Sequence, residues 1–346
     1  MTSGNIVKDK IIIEKPKDAS RLYNKSIFGR PLSGDKLELD LVEGVFLLSE
    51  NKLKIYENKK EIKFQKLVEK ATKKIPDFEI KYLVYKDLRK RGLTVKMYDK
   101  EENFTFYQCK KNPEKDFFVT VFSENNILSL NETVKLVNLA VKNKKELWFS
   151  IVDDEGDITY YNVSNIDLRG NSKKHIFSKG KGVLLDNRVI VFDEKLAKNL
   201  FEREFYGKFF ESALQLSFVE SLFLLENKVI EILSLNGKKI SKNDFLKVAK
   251  KIQPDIDLRL LVFKDLKNRG LIVKTGFKFG SHFRVYTRSP DDIHAEYLVH
   301  VVDKDYEAVW SEFSRAVRLA HSVNKEIVFA KAGKNIEYIR FGRLRP

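Results

Sequence analysis

The chain has 346 residues, a formal net charge of +16 and a single cysteine, Cys109. Its length allows two domains with separate cores, and its excess of Lys and Arg favours a polyanionic partner, because clustered cations neutralise phosphates and release condensed counterions. One cysteine excludes an intrachain disulfide and a cysteine-based zinc site, and no apolar run reaches the roughly 20 residues of a membrane-spanning helix. The stretch MTSGNIVKDKIIIEK has no apolar signal-peptide core, so we expect a cytoplasmic protein with no membrane partner.

Three stretches of the first half recur in the second half with an offset close to 178 residues. LELDLVEGVFLLSE, from Leu37, is echoed by LQLSFVESLFLLEN, from Leu214. KYLVYKDLRKRGLTVK predicts a helix that ends before Gly92, and RLLVFKDLKNRGLIVK repeats it before Gly270. VKLVNLAVKNKKELWFS likewise pairs with SRAVRLAHSVNKEIVFA. Two copies of one fold are the simplest account of this repeat.

Each copy divides into an N-terminal part of short strands and helices and a C-terminal part of strands around one long helix. We therefore predict a mixed α/β (α+β) fold with two tandem units, each carrying an N-terminal α/β subdomain and a C-terminal mixed-sheet subdomain. The polar, basic stretch DLRGNSKKHIFSKGK marks the join. The predicted domains are 1–168 for the first copy, 169–181 for the linker and 182–346 for the second copy, which divides into 182–270 and 271–346.

In the second copy, GVLLDNRVIVF predicts a strand pair that turns at its Asp-Asn dipeptide, and residues 194–204 predict a helix. A second helix is predicted from its N-cap, Ser241, to Ile252, and a third over 258–269. Residues 282–288 then alternate as a strand.

A second strand is predicted over 295–302, followed by a helix beyond Asp305 and a strand over 326–330. Apolar residues of that helix recur at helical spacing and are expected to face the core: Val309, Phe313, Ala316, Val317 and Ala320.

The segment from Lys274 to Lys325 concentrates residues suited to proton transfer and phosphate binding. Besides Lys325 these are His282, His294, His300, His321, Tyr286, Arg284, Arg315 and Arg318. Tyr286, His294 and Lys325 are expected to meet at the ends of adjacent strands. The other three histidines are expected to be structural.

Alignment of the two copies separates residues that recur from residues that differ. It pairs Tyr286 with Tyr107, Lys325 with Lys145, His294 with Glu114, Arg318 with Asn138 and Arg340 with Asn162. The first copy thus lacks the histidine and the arginines, and only the second copy is predicted to be catalytic.

A tyrosine, a histidine and a lysine fit cleavage of RNA without metal or cofactor. That reaction needs a base for the ribose 2′-hydroxyl, an acid for the departing 5′ oxygen and a cation for the charge that develops on phosphorus. Imidazole is readily protonated beside phosphates, so His294 is the natural acid. A tyrosine acts as a base only where cations stabilise its phenolate, as Lys325 would for Tyr286. Lys325 would also stabilise the transition state.

The stretches KTGFKFGSHFRVY, HAEYLV and RAVRLAHSVNK, with VDDEGDITYYN in the first copy, make the chain similar to the archaeal tRNA-splicing endonucleases over nearly its whole length. The resemblance implies a metal-independent RNA endonuclease (tRNA-intron lyase) that cleaves precursor tRNA at bulge-helix-bulge intron junctions. Its products would carry 2′,3′-cyclic phosphate and 5′-hydroxyl ends. The triad positions of the family match Tyr286, His294 and Lys325.

The resemblance also implies that two arginines, Arg318 and Arg340, hold a flipped-out bulge base between their guanidinium planes. Stacking of this kind is worth roughly 1 to 3 kcal/mol per base. Arg315 and Arg284 are expected to contribute to RNA binding as well.

The tandem arrangement resembles the fused form of the family, in which one chain carries a structural and a catalytic unit and two chains form a homodimer. In that form an acidic loop of the structural unit docks in a basic cleft of a catalytic unit. Asp153, Asp154, Glu155 and Asp157 match that loop. The second copy has a shorter sequence, KAGK, in its place.

Two other classes stay open on the residues alone. A metal-dependent DNA nuclease would need an acidic cluster closed by a Glu-x-Lys triplet, but the triplets at 57–59 and 61–63 are expected by chance in so lysine-rich a chain, and no acidic cluster lies near Tyr286. A non-catalytic RNA-binding splicing scaffold would have no reason to keep a triad in one copy only.

Overall fold

A computed structural model describes residues 2–98, 104–108, 116–173 and 175–346. It confirms a mixed α/β fold with two tandem repeats, each built from an N-terminal and a C-terminal subdomain. The first N-terminal subdomain contains β1 (Thr2–Val7), β2 (Lys10–Ile13), α1 (Pro16–Ser26), β3 (Arg30–Leu32), β4 (Lys36–Leu39), α2 (Leu41–Ser49), β5 (Leu53–Glu57), β6 (Lys60–Ile62) and α3 (Phe64–Lys74). The first C-terminal subdomain contains α4 (Phe78–Lys90), β7 (Val95–Met97), β8 (Phe106–Gln108), β9 (Phe117–Ser123), β10 (Ile127–Ser129), α5 (Leu130–Lys142), β11 (Glu146–Val152) and β12 (Ile158–Asn165).

The second repeat follows the same order of elements, except that no strand of the described residues corresponds to β6. Its N-terminal subdomain contains β13 (Gly180–Leu185), β14 (Arg188–Val191), α6 (Glu194–Glu204), β15 (Lys208–Phe210), β16 (Ala213–Leu216), α7 (Phe218–Glu226), β17 (Ile230–Leu233) and α8 (Lys242–Ile252). Its C-terminal subdomain contains α9 (Ile256–Asn268), β18 (Ile272–Thr275), a 3₁₀ turn (Phe277–Phe279), β19 (Phe283–Tyr286), β20 (Tyr297–Asp303), β21 (Glu307–Val309), α10 (Trp310–Ser322), β22 (Glu326–Ala332) and β23 (Glu337–Leu344).

Each N-terminal subdomain contains one small sheet, ordered β3-β4-β2-β1-β5-β6 in the first repeat and β15-β16-β14-β13-β17 in the second, so the orders are equivalent over five strands. In each, the motif L-x-L-x-x-V-E forms a strand and a capped helix. Glu43 closes the capping box of α2 and also accepts a hydrogen bond from the Gly29 N–H at 2.9 Å. Glu220 does the same for α7 and the Gly207 N–H, at 2.8 Å. The repeated glutamate therefore has a structural function.

The two C-terminal subdomains share one ten-stranded sheet, ordered β18-β19-β20-β22-β23-β12-β11-β9-β8-β7. Antiparallel pairing of β12 with β23 joins the repeats, with Val163 opposite Phe341. A second, two-stranded sheet pairs β10 with β21. Helices α5 and α10 cover one face of the large sheet, where residues of both repeats such as Phe149 and Trp310 share one core.

The repeated motif K-D-L-x-x-R-G ties a helix to a strand in each C-terminal subdomain. Asp87 of α4 accepts hydrogen bonds from the hydroxyl of Tyr160 on β12 and from Arg91, both at 2.7 Å. In the second repeat Asp265 accepts from Tyr338 at 2.7 Å and from the arginine four residues on at 2.6 Å. These charged residues recur because both copies need the same contact.

The helices of the second repeat largely follow the sequence prediction. The predicted helix over 194–204 is confirmed, Ser241 caps Lys242–Ile252, and the third helix spans Ile256–Asn268. The prediction that Val309 faces the core is wrong, because it precedes α10 and is 40% exposed. Among the described residues, no helix has the length and apolar character needed to cross a bilayer.

The segment between the repeats is anchored along the second repeat. The predicted linker, 169–181, overlaps β13, because Gly180 and Lys181 pair in parallel with β17. Upstream, the Gly170 N–H donates to the carbonyl of Arg269 at 3.0 Å and the Ser172 N–H to that of Gly270 at 2.8 Å. The connection is therefore a docked segment.

Candidate active site

Three adjacent strands bring the predicted catalytic residues to one end of the ten-stranded sheet. Strand β19 runs antiparallel to β20 and ends at Tyr286, while β20 and β22 run parallel and begin at Tyr297 and Glu326. His294 lies three residues before β20, and Lys325 immediately precedes β22. The C-terminal end of β19 and the N-terminal ends of β20 and β22 coincide, so all three residues belong to the same end of the sheet.

Tyr286 is a buried residue beside a cation. Its side chain is 7% exposed and packs with Ile272 and Ala295. The guanidinium of Arg284 lies 5.9 Å from the centre of the Tyr286 ring. The Nε atom of Arg284 is buried and has no hydrogen-bond partner among the described residues. The positive charge of Arg284 is therefore available to a group at this site.

His294 is exposed, and its neighbours fix its position. Ile293 and Ala295, on either side, pack in the cluster that contains Tyr286. The Ile293 N–H also donates to the carbonyl of Ser289 at 3.1 Å. The backbone of His294 is thus held close to Tyr286 while its imidazole faces solvent.

Lys325 is an unpaired cation. Its N–H donates to the carbonyl of Ala320 at 3.0 Å, and its ammonium lies 5.6 Å from the centre of the Phe279 ring. That ammonium forms no hydrogen bond or ion pair within the part of the chain that the structure describes. Burial lowers the pKa of Lys325, and the positive charges of Arg284 and Lys278 lower it further. Arg284 therefore neighbours both Lys325 and Tyr286.

The sheet register corrects the predicted pairing of Tyr286 with Tyr107. Strand β9 pairs with β11 in the same register as β20 pairs with β22, which fixes the correspondence between residues of β9 and residues of β20. Phe106 pairs with a residue of β9, and Phe283 pairs with the corresponding residue of β20, so Phe106 and Phe283 are counterparts. Tyr107 therefore corresponds to Arg284. The prediction placed it two residues too far along, because loops of unequal length flank β8 and β19.

The first-repeat counterparts of the other two triad residues differ from those of the second repeat. Lys145 corresponds to Lys325 but forms an ion pair with Asp116 and is 18% exposed. Glu114, predicted opposite His294, lies outside the described residues. The first repeat thus keeps the lysine in a neutralised form.

The four predicted RNA-binding arginines lie in three places. Arg284 is at the triad, whereas Arg315 and Arg318 are exposed on α10. Arg340, on β23, donates to the hydroxyl of Ser164 at 3.2 Å and to the carboxylate of Glu326 at 3.4 Å.

Arg318 and Arg340 lie on opposite faces of the sheet within one chain. Arg340 pairs with Val328, whose side chain packs in the core that contains α9. Helix α10 packs against the other face, through Phe313 and its neighbours. The base clamp stays a prediction.

The predicted acidic loop is the turn between β11 and β12. The Asp153 carboxylate accepts from the N–H groups of Glu155, at 3.1 Å, and Asp157, at 2.8 Å. Asp154, Glu155 and Asp157 are exposed. None of the four carboxylates forms an ion pair within the described ranges. The loop is therefore a preformed acidic surface whose charge is not neutralised in the described chain.

Two of the remaining histidines have packing functions. Nδ1 of His282 accepts a hydrogen bond from the Val301 N–H at 2.9 Å, and the ring centre lies 4.6 Å from that of His300. Burial, together with the positive charges of His300 and Arg259, lowers the pKa of His282 to about 4. The described residues include no group of three or more His, Cys, Asp or Glu side chains placed to hold a metal ion.

A cavity of about 860 Å³ opens beside the triad, between the two subdomains of the second repeat. Tyr286 and Arg284 line it together with Lys274. The ammonium of Lys274 donates to the carbonyls of Phe205, at 2.5 Å, and Gly207, at 2.6 Å, and burial lowers its pKa. Lys274 therefore braces the two subdomains across the cavity.

Sequence reasoning did not assign four residues that contact or flank the triad: Lys278, Phe279, Thr287 and Glu296. The Glu296 carboxylate accepts hydrogen bonds from the N–H of Thr287 at 3.2 Å and from its hydroxyl. The change from Asp116 to Glu296 between copies was the one signal for this contact. The first two residues belong to a motif, K-F-G-S-H, that the first copy lacks.

Comparison with known proteins identifies related chains. The sequence model of the tRNA intron endonuclease N-terminal domain family matches residues 2–68 and 180–246. The sequence model of the catalytic C-terminal domain family matches residues 78–160 and 256–338. The second catalytic match begins at residue 256 and so includes α9, which the predicted boundary at 270 left in the N-terminal subdomain.

Among curated relatives, the tRNA-splicing endonuclease of Methanococcoides burtonii is 39% identical over 99% of both chains. That of Methanosarcina mazei is 37% identical over 97% of both. The tRNA-splicing endonuclease of Methanococcus maripaludis is 39% identical over 47% of this chain and 93% of its own length. That protein therefore matches about one repeat, whereas the other two match both.

Proposed function

This chain belongs to the tRNA intron endonuclease family, and on that premise we propose that it is an RNA endonuclease that removes introns from precursor tRNA. Relatives named for this activity align with both repeats over nearly their whole length. The net charge of +16 favours a polyanionic substrate. The triad of the second repeat is the catalytic site.

The reaction is an attack of a ribose 2′-hydroxyl on the adjacent phosphate. Tyr286 removes the proton of the hydroxyl, and the 2′ oxygen forms a bond to phosphorus as the bond to the 5′ oxygen breaks. His294 donates a proton to that departing oxygen. The products are a 2′,3′-cyclic phosphate and a 5′-hydroxyl, and no metal takes part.

The observation that carries this proposal is the unpaired charge of Lys325. Two further cations, Arg284 and Lys278, lie near enough to lower its pKa, and no carboxylate of the described residues forms an ion pair with it. A phosphate that gains negative charge in the transition state would find preorganised positive charge here. In the first repeat Lys145 is neutralised by Asp116, which supports catalysis by the second repeat alone.

The proposed substrate is precursor tRNA with a bulge-helix-bulge junction. Arg318 and Arg340 hold a flipped-out base, with Arg315 and Arg284 binding nearby phosphates. Because the two clamp residues belong to opposite faces of the sheet, the base sits past the sheet end where α10 gives way to β22. Contacts to Ser164 and Glu326 orient the guanidinium of Arg340 before RNA binds.

The test is cleavage of a labelled precursor tRNA that contains a bulge-helix-bulge, in excess chelator, with the product ends identified. We expect cleavage at both junctions, with 2′,3′-cyclic phosphate and 5′-hydroxyl ends. Cleavage only after addition of a divalent metal, or 5′-phosphate ends, would place the protein with the metal-dependent nucleases instead.

The same assay tests the triad by single-turnover kinetics. His294→Ala and Lys325→Ala should each lower the rate by about 10²- to 10⁴-fold with little change in RNA binding, because each removes a group that acts in the transition state. Lys145→Ala is the matched control and should cleave at the original rate. An unchanged rate in either triad variant contradicts the role assigned to that residue.

A further inference from the structure

The two repeats place a carboxylic acid at the same backbone position beside the triad lysine. The Lys145 and Lys325 N–H groups donate to equivalent helix carbonyls, at 2.9 and 3.0 Å. The residue after each lysine donates its N–H to the carbonyl of Asp116 in the first repeat, at 2.9 Å, and of Glu296 in the second, at 3.0 Å. Asp116 and Glu296 are therefore structural counterparts.

These counterparts have different partners. The Asp116 carboxylate forms an ion pair with Lys145. The Glu296 carboxylate accepts two hydrogen bonds from Thr287, one from the N–H at 3.2 Å and one from the hydroxyl. Lys325 consequently has no acidic partner among the described residues. One carboxylate neutralises its lysine, and the other is held by a threonine.

The backbone of Thr287 is held in place by the linker. It follows Tyr286, the last residue of β19, and its carbonyl accepts a hydrogen bond from the Asn171 N–H of the docked linker at 3.0 Å. Counted from Phe106 and Phe283, the first-repeat counterpart of Thr287 is Lys110, which lies outside the described residues. The threonine is thus a feature of the second repeat that the linker supports.

We propose that Thr287 and Glu296 are positioning residues that keep Lys325 unpaired and available to the scissile phosphate. The inference rests on the proposed function, because it explains why one of two equivalent lysines stays a free cation. Without the threonine hydroxyl, the Glu296 side chain would turn toward Lys325, as Asp116 turns toward Lys145. A shorter acid at position 296, which reaches Thr287 poorly, would do the same.

The experiment measures single-turnover cleavage and RNA binding of two variants. Thr287→Val and Glu296→Asp should each lower the rate by about tenfold to a hundredfold. This loss is smaller than the roughly 10²- to 10³-fold loss that follows complete removal of one stabilising donor, because Lys325 is still present. Binding of the precursor should change little, because the lysine acts as charge builds on phosphorus. Thr287→Ser keeps the hydroxyl and should retain the original rate.

A second substitution that restores the cleavage rate distinguishes a positioning role of Thr287 from a purely structural one. Adding Glu296→Gln to Thr287→Val should restore the rate, since an amide cannot neutralise Lys325. Asp116→Glu in the first repeat is the matched control for Glu296→Asp and should have no effect. A Thr287→Val variant that cleaves normally, or one that Glu296→Gln fails to restore, overturns the inference.

The outcomes also distinguish failure of the inference from failure of the proposed function. If the original protein cleaves and Lys325→Ala does not, the proposed function stands whatever the Thr287 variants do. If Lys325→Ala cleaves at the original rate, the proposed role of Lys325 fails, and the inference fails with it.

Discussion

His282 and Thr105 occupy the same place in the two repeats and make the same contact with different chemistry. Nδ1 of His282 accepts from the Val301 N–H at 2.9 Å, and the Thr105 hydroxyl accepts from the Val121 N–H at 3.1 Å. The hydroxyl keeps this bond at any pH, whereas the imidazole must stay neutral at Nδ1. The histidine therefore makes the second repeat sensitive to acid.

We expect His282→Thr to reduce the acid sensitivity of the second repeat. The folded-state pKa of His282, about 4, lies below the ordinary value of about 6.5. As the pH falls from about 6.5 to 4, the unfolded chain gains a proton that the folded chain excludes, so folding stability is full above this window and falls within it by up to about 3 kcal/mol. Melting temperatures at pH 7.5 and pH 4.5 measure the effect.

The fall in melting temperature between the two pH values should be smaller in His282→Thr than in the original protein. An equal fall in both would assign the acid sensitivity to other groups. His321→Thr serves as the control, because His321 is exposed and its replacement should leave the fall unchanged.

At the residue scale, the sequence alone does not align the strand that ends at Tyr286 correctly with its counterpart in the first copy. Thirteen residues separate Phe106 from its partner on β9, but sixteen separate Phe283 from its partner on β20. The extra residues fall in the loop that carries His294, and loops have no periodic pattern to locate an insertion. Tyr107 was therefore matched by residue type to Tyr286, whereas the hydrogen-bond register places it opposite Arg284.

At the scale of elements, repeated motifs predict the helices and strands because their contacts are local. Capping at Ser241 and the helix over 194–204 follow from residues within a few positions. The anchored linker was not predictable, since its polar composition is typical of a mobile connection. Its contacts include backbone hydrogen bonds to Gly270 and Thr287, which the side-chain pattern does not record.

Substitution of Gly270 tests the contribution of the linker, and the same substitution at Gly92 in the first repeat is the control. Gly92 and Gly270 both have positive φ, 84° and 76°, so an alanine at either is strained. A Cβ at Gly92 would meet no atom within 4 Å, whereas a Cβ at Gly270 would collide with the carbonyl of Gly170. We expect Gly92→Ala to cost about 1 kcal/mol of stability and Gly270→Ala clearly more.

Thermal unfolding compares the two glycine variants. Gly270→Ala should also slow RNA cleavage, because displacement of the linker removes the Asn171 contact that supports Thr287 beside Tyr286. Equal melting temperatures and equal cleavage rates for the two variants would mean that the linker adds nothing to the site.

At the scale of the whole molecule, the pairing of repeats already occupies one edge of each C-terminal subdomain. Strands β12 and β23 pair over six residues, and a shared core lies beneath them. A homodimer must therefore use other surfaces. The acidic turn between β11 and β12 is exposed and has no cationic partner in the described chain.

We expect neutralisation of this turn to weaken the predicted homodimer. Asp154→Asn, Glu155→Gln and Asp157→Asn together remove three exposed charges, whereas Asp153 is kept because its carboxylate accepts two N–H groups that close the turn. Loss of these contacts across the interface should raise the dimer dissociation constant at least about tenfold, equivalent to about 1.4 kcal/mol. High salt should weaken the original dimer in the same direction, because it screens exposed charges.

Molar mass measured over a dilution series gives the dissociation constants. The matched control replaces three exposed acids elsewhere, Glu14→Gln, Asp35→Asn and Glu211→Gln, and changes the net charge by the same amount. If both triple variants dissociate alike, net charge alone accounts for the effect. If the turn variant stays dimeric at dilutions where the original protein does, the turn is not part of the interface. Weakening confined to the turn variant is the outcome expected of a charge-complementary contact between one chain's first repeat and its partner's catalytic repeat.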